Sequence, residues 1–412
     1  MTLTNLSTTL SSTEATPAAL PTRRLLAAGQ PVRIVCFGDS ITGIYYHTGG
    51  RRAWSDALGA TLRRAYPQAP ITMINAGISG NTTTDGLRRM ETDVLSHVPQ
   101  LVVVMFGMND VVRSTPAEFR TNLGQIVQRS QAHGADVVLM TPNWVYPEDA
   151  SRPQERIAEY AEIVRQTGRE LGVPVADALA AFKTIYTTDR RSWTRLMSET
   201  IHPNWRGHLV FAAEAAAVIT GQKITAPDFP PLQPALPHTL THLRAGEPLR
   251  VVAMKPYDRL IGPALQSIFP QAQVEVTPWD PVGKSVLELE AEAKANGFAK
   301  YRDHPELPQP DLFVIAVPAE AAAPDDTQFY RSYTWILNWS QSLDPARGDC
   351  LAVLPSVAQP ELSPTQRATE NFALEVILDK DLPVIRRKTD DTSSPSDLLT
   401  AQLKLLFKPA AP

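Results

Sequence analysis

Short apolar runs, each followed by a stretch with helical spacing, recur along this chain in two blocks. In the first block the runs are Val32–Phe37, Ile71–Asn75, Leu101–Phe106, Val137–Met140 and Val173–Ala176. Between them, Ala53–Tyr66 puts Trp54, Ala57, Leu58, Leu62 and Ala65 at helical intervals. Thr83–Val98, Ala117–His133, Gln154–Leu171 and Arg206–Thr220 read as further helices. Gly134, Gly172 and Gly221 follow three of them, where a helix end favours a left-handed residue. Strands that are apolar throughout belong to parallel sheets covered on both faces. The alternation therefore predicts a doubly wound, flavodoxin-like α/β sheet over residues 31–222, with helices on both sides.

A proline-rich stretch, residues 223–248, interrupts the pattern. Pro227, Pro230, Pro231, Pro234, Pro237 and Pro248 disfavour helix and central strand, so it reads as a semi-rigid linker. The alternation then resumes over 249–408. Arg250–Met254 echoes Arg33–Phe37, Pro310–Val317 echoes Pro99–Phe106, Asp349–Pro355 echoes Asp136–Pro142, and Leu382–Ile385 echoes Gly172–Val175. Helical patterns at Gln328–Leu343, Thr365–Leu378 and Asp397–Phe407 complete a second, similar α/β domain. Residues 1–30, rich in Ser, Thr and Ala, read as a disordered tail.

Composition narrows the function. With 39 Lys and Arg against 43 Asp and Glu, the net charge of -4 argues against nucleic-acid binding. Cys36 and Cys350 are the only cysteines. They rule out a disulfide framework and a Cys-rich zinc site, and both lie in apolar runs, as core thiols do. No apolar run reaches the roughly 18 residues of a membrane span. Arg23-Arg24 precede only Leu25–Ala28, too short for a secretory signal, so a cytoplasmic location is expected. Phosphate-loop and dinucleotide fingerprints are absent, so no cofactor and no metal is expected. The sequence gives no sign of oligomeric state.

Ligands of such sheets bind at the carboxyl ends of the strands. Gly38-Asp39-Ser40-Ile41-Thr42 follows the first strand and presents a hydroxyl. Asn75-Ala76-Gly77-Ile78-Ser79-Gly80-Asn81 follows the second, with glycines that can turn a backbone N–H into a cleft. Gly107-Met108-Asn109-Asp110 follows the third and supplies a side-chain amide. Glu199-Thr200-Ile201-His202-Pro203 precedes the last helix and pairs a carboxylate with an imidazole. Taken singly, each is an ordinary turn or cap. Together they set a nucleophile, two amide donors and a base along one rim.

These four blocks resemble the SGNH, or GDSL-type, hydrolases, in the branch of lysophospholipases and thioesterases. The resemblance covers about residues 31–221. It implies Ser40 as nucleophile, His202 as base, and the Ser40 N–H, Gly80 and Asn109 as the oxyanion hole. That family usually places Asp three residues before the histidine; here the position is Glu199. Two arrangements remain open: Glu199 orients the ring, or a backbone carbonyl does and leaves a Ser40–His202 dyad. His208 reads as structural or rim, and Arg51 and Arg52 as a solvated loop. The second domain has Lys255-Pro256-Tyr257 where Gly38-Asp39-Ser40 stood, Ala319-Glu320 for Met108-Asn109, and no His-Pro block. It is expected to be non-catalytic and to pack on the first, shape the cleft or bind a partner. Its aromatics, Trp335 and Trp339 among them, read as core before carbohydrate or acyl surface.

The resemblance implies a cofactor-free serine esterase acting through an acyl-enzyme on a small-molecule, short-acyl ester. Its rivals are acyl transfer to a sugar from the same site, and an inactive ligand-binding module.

Overall fold

The structure, a computed structural model, describes residues 20–224, 226–342 and 347–409. Two parallel five-stranded sheets with helices around them make an α/β fold. The first holds β1 (Val32–Gly38), β2 (Ile71–Gly77), β3 (Leu101–Met105), β4 (Asp136–Met140) and β5 (Val175–Ala176), in the order β2-β1-β3-β4-β5. The second holds β6 (Leu249–Met254), β7 (Val274–Trp279), β8 (Leu312–Ile315), β9 (Asp349–Val353) and β10 (Val384–Ile385), in the order β10-β9-β8-β6-β7. Both are the 2-1-3-4-5 winding of flavodoxin-like sheets. Each order reverses beside its first strand, β1 or β6, which opens a crevice at the carboxyl rim.

The central strands are buried on both faces; every residue of β3 and β9 is interior. Cys36 and Cys350 lie in the two cores, as the apolar runs predicted. Gly38 pairs with Gly77 on one side and Met105 on the other. A Cβ at Gly38 would run into Thr42 Oγ1 and the Met105 carbonyl, so only glycine lets the chain turn there.

The flanking segments differ from expectation. Pro21–Ala27 is a helix where the sequence suggested tail; the rest of that stretch, 1–19, lies outside the described residues. Thr22 N–H and Oγ1 both donate to Asp136 Oδ2 at 2.6 Å, which docks the helix on β4. The proline-rich stretch likewise contains the helix Pro237–Ala245. Pro237 sits at its first turn, where the missing N–H costs no hydrogen bond. Strand β7 went unread because it is an edge strand with alternating polar residues and a proline, Pro278.

The two units meet at the end of helix Pro364–Asp379. Asp379 receives Arg195 Nε at 2.8 Å, and Asp381 receives Arg52 through Nε and Nη2 at 2.6 and 2.7 Å. Arg51 donates to the carbonyls of Leu232 and Pro234. Arg51 and Arg52 are therefore interdomain anchors rather than a solvated loop. Gly49 has φ +69°, and a Cβ there would lie 2.8 Å from the Lys380 carbonyl. The second unit can approach this closely only over glycine.

Candidate active site

Ser40 occupies a tight turn after β1. Asp39 closes it: its carbonyl accepts from Thr42 N–H (3.1 Å) and Gly43 N–H (3.0 Å), and its Oδ1 from Ile41 N–H (2.9 Å). Burial raises the Asp39 carboxyl to about 6, against the pull of its bond from Ile41 N–H and the nearby His202. Ser40 Oγ lies 2.7 Å from His202 Nε2.

His202 stands on a loop held on several sides. Its carbonyl accepts from Ser198 N–H at 2.8 Å, Met197 bridges to Pro203, and Asn143 Nδ2 and Tyr146 N–H hold the carbonyls of Ile201 and Thr200. Glu199 Oε1 takes the His202 N–H at 2.7 Å and also contacts His202 Nδ1; its Oε2 accepts from Thr200 Oγ1 at 2.9 Å. The longer side chain thus folds back onto its own turn and reaches the ring. Burial alone would push the Glu199 carboxyl up; the His202 imidazole and these hydrogen bonds outweigh it and hold the carboxyl below its ordinary range. Of the two arrangements left open, the structure shows the carboxylate on Nδ1.

Gly80 has φ +77°, a backbone that favours glycine. Asn109 Nδ2 donates to the Asn81 carbonyl at 3.0 Å, so the second and third blocks lock together. Asp110 strengthens the lock by accepting Thr83 N–H and Oγ1 at 2.9 and 2.6 Å. His208 is interior, not rim: its Nδ1 accepts from Trp54 N–H at 3.0 Å, and burial lowers its pKa to about 3.

Three supporting residues escaped the sequence. Arg89, on helix Thr83–Asp93, gathers the Gly38 carbonyl (2.8 Å), the Ala76 carbonyl (2.9 Å) and Asn81 Oδ1 (2.7 Å). Arg152 reaches the Met108 carbonyl at 2.9 Å and Asn109 Oδ1 at 3.3 Å. His47 stacks on His202, with ring centroids 3.9 Å apart and planes at 11°. Burial, aided by His202, keeps the His47 pKa well below normal, so His47 is neutral. Only for Arg89 was there a signal: it lies on the helix that opens directly after the Gly80 block.

His47, Glu199 and His202 also bring ligand atoms within 4.8 Å of one another. Both His202 nitrogens already face partners, Ser40 and Glu199, so a cation there would displace them.

The profile of the GDSL-like Lipase/Acylhydrolase family matches residues 36–210. The first unit is a GDSL-like acylhydrolase domain. Its relatives include an acetylxylan esterase from Geobacillus stearothermophilus, 28% identical over 45% of this chain and 92% of the relative. An arylesterase from Vibrio mimicus is 29% identical over 31% of this chain and 70% of its own length. A solved acetylxylan esterase from Geobacillus stearothermophilus aligns at 25% identity with a TM-score of 0.42, covering 48% of this chain and 97% of the other. The acylhydrolase unit makes the protein a carboxylic ester hydrolase of SGNH type. Among the described residues no helix is long and apolar enough to cross a membrane.

Proposed function

We propose that the protein cleaves short-acyl esters, acetyl esters of carbohydrates foremost, through an acyl-enzyme on Ser40. The observation that carries this is the line Ser40 Oγ, His202 Nε2, His202 Nδ1, Glu199 Oε1. His202 takes the Ser40 proton as Oγ attacks the ester carbonyl. Glu199 holds the tautomer with its proton on Nδ1 and stabilises the imidazolium that forms. The carbonyl oxygen gains charge and is met by Ser40 N–H, Gly80 N–H and the second amide proton of Asn109. The tetrahedral centre collapses, the alcohol leaves with the proton from His202, and water resolves the ester by the same steps in reverse order of roles. The acetyl preference rests on the acetylxylan esterase relative.

The test is hydrolysis of 4-nitrophenyl esters from acetate to octanoate, and of acetylated xylo-oligosaccharides, by wild type and Ser40→Ala. The expected result is turnover that falls with acyl length and vanishes in the variant. Equal rates in both proteins would refute the mechanism, and a preference for octanoate would refute the substrate class.

A further inference from the structure

Behind the imidazole lies a lysine from the other unit. Lys380 caps helix Pro364–Asp379 and is fully buried. Its Nζ donates toward the carbonyls of Tyr46 (3.2 Å) and His47 (3.3 Å), Ser198 Oγ (3.1 Å) and Asn338 Oδ1 (2.6 Å). Asn338 in turn donates from Nδ2 to the Ser198 carbonyl at 3.1 Å. A buried ammonium is costly unless its protons are all taken, and here three protons meet four acceptors. The acids on either side of it in the chain are engaged elsewhere, Asp379 with Arg195 and Arg206 and Asp381 with Arg52, and Glu199 is paired with His202. The partners chosen instead are two segments that enclose His202. One is Tyr46–Thr48, whose His47 covers the ring face; the other is the Ser198–His202 turn, which carries the ring.

We infer that Lys380 is a positioning residue for ester hydrolysis. It fixes His47 and Ser198 together and thereby fixes the plane of the His202 ring between Ser40 and Glu199. This rests on His202 being the base. The second unit is then part of the catalytic centre, although it touches no reacting atom.

The experiment is Lys380→Met in the full chain, with kcat, KM and the pH profile of kcat/KM measured on 4-nitrophenyl acetate. Rates are expressed per Ser40 titrated to completion with a fluorophosphonate, which removes any misfolded fraction. The expected outcome is a 10- to 100-fold loss of kcat, little change in KM, and a shifted acid limb. Unchanged kcat per titrated site would overturn the inference. If Lys380→Met does not fold, Ser198→Ala and Asn338→Leu each remove one acceptor of the Lys380 amine, with that side chain's other bonds in the clamp. A several-fold loss of kcat in both supports it, and none in either overturns it. Activity persisting in Ser40→Ala would instead defeat the reading of the base and nucleophile.

A separate cluster lies at the opposite rim of the second sheet. His238 and His242 are four apart on helix Pro237–Ala245, with ring centroids 4.4 Å apart. Their Nε2 atoms lie 3.1 and 3.9 Å from Asp311 Oδ1, just before β8, and all three ligand atoms fall within 4.8 Å of one another. Glu247 Oε2 stands 3.4 Å from the other nitrogen of His242 and adds negative charge beside the cluster. The geometry points to a divalent-cation site, zinc by its two-imidazole, one-carboxylate donors. Chelator-stripped full-length protein should take up one zinc ion per chain and melt at higher temperature, and His242→Gln and Asp311→Asn should lose both responses. No uptake, or uptake unchanged in both variants, would overturn it.

Discussion

The two sheets share their winding and differ at one rim. At the amino rims the same device is used twice. Thr22 donates to Asp136 at the start of β4, and Thr239 N–H donates to Asp349 at the start of β9 (2.7 Å). Arg33 N–H meets Gln100 Oε1 (2.7 Å), and Arg250 N–H meets Asp311 Oδ2 (2.8 Å). At the carboxyl rims the likeness ends. Where β1 leads to an available hydroxyl on Ser40, β6 leads to Tyr257, whose side chain is buried in the core. The contacts at the amino rim accompany the same winding in both sheets, whereas the groups at the carboxyl rim differ, so the winding does not depend on what stands at that rim.

Paired substitutions probe that contrast. Ser40→Ala should lower turnover by about 10⁴- to 10⁶-fold, whereas Tyr257→Phe at the equivalent position should leave it unchanged; steady-state kinetics of both decide. Asn109→Ala should cost about 10²- to 10³-fold in kcat, and its counterpart Glu320→Ala nothing. The third test concerns pH. Burial pushes Lys380 from 10.5 down to about 7, against the fields of Cys350 and Glu199. The unfolded chain then binds more protons than the folded one between those values, so the contribution of Lys380 to stability rises with pH across that window and is flat below it. The melting temperature of wild type relative to Lys380→Met, scanned from pH 6 to about 10, should show this rise; a parallel pair of curves would contradict it. Smallest are the amino-rim acids. Asp136→Ala and Asp349→Ala should each remove about 1–3 kcal/mol of stability, seen in denaturant melts, with kcat per folded enzyme unaltered in both.

Much of this was legible because it is local. Every β-strand except the edge strand β7 announces itself by a short apolar run, and Ser40, Gly80 and Asn109 each follow such a run within a few residues. His202 and Glu199 share one turn, so their spacing already brought them near each other. What stayed hidden depends on partners far along the chain. His47 gains meaning only from a ring more than a hundred positions away, and Lys380 only from carbonyls of the other unit. Proline density misled at Pro237, where position within the helix matters more than residue type. Arg51 and Arg52 looked solvated because nothing in their neighbourhood showed the acid, Asp381, that receives one of them.

The clamp on the catalytic turn also has a consequence for biosynthesis. Ser40, Gly80, Asn109 and His202 all precede the second unit, yet the lysine that holds the segments around His202 is residue 380. A ribosome working at about 5–20 residues per second needs roughly 10 to 35 seconds to go from one to the other. Through that interval the nascent chain holds Ser40 and His202 without Lys380, so on this reading the proposed site is complete only after most of the second unit has been made.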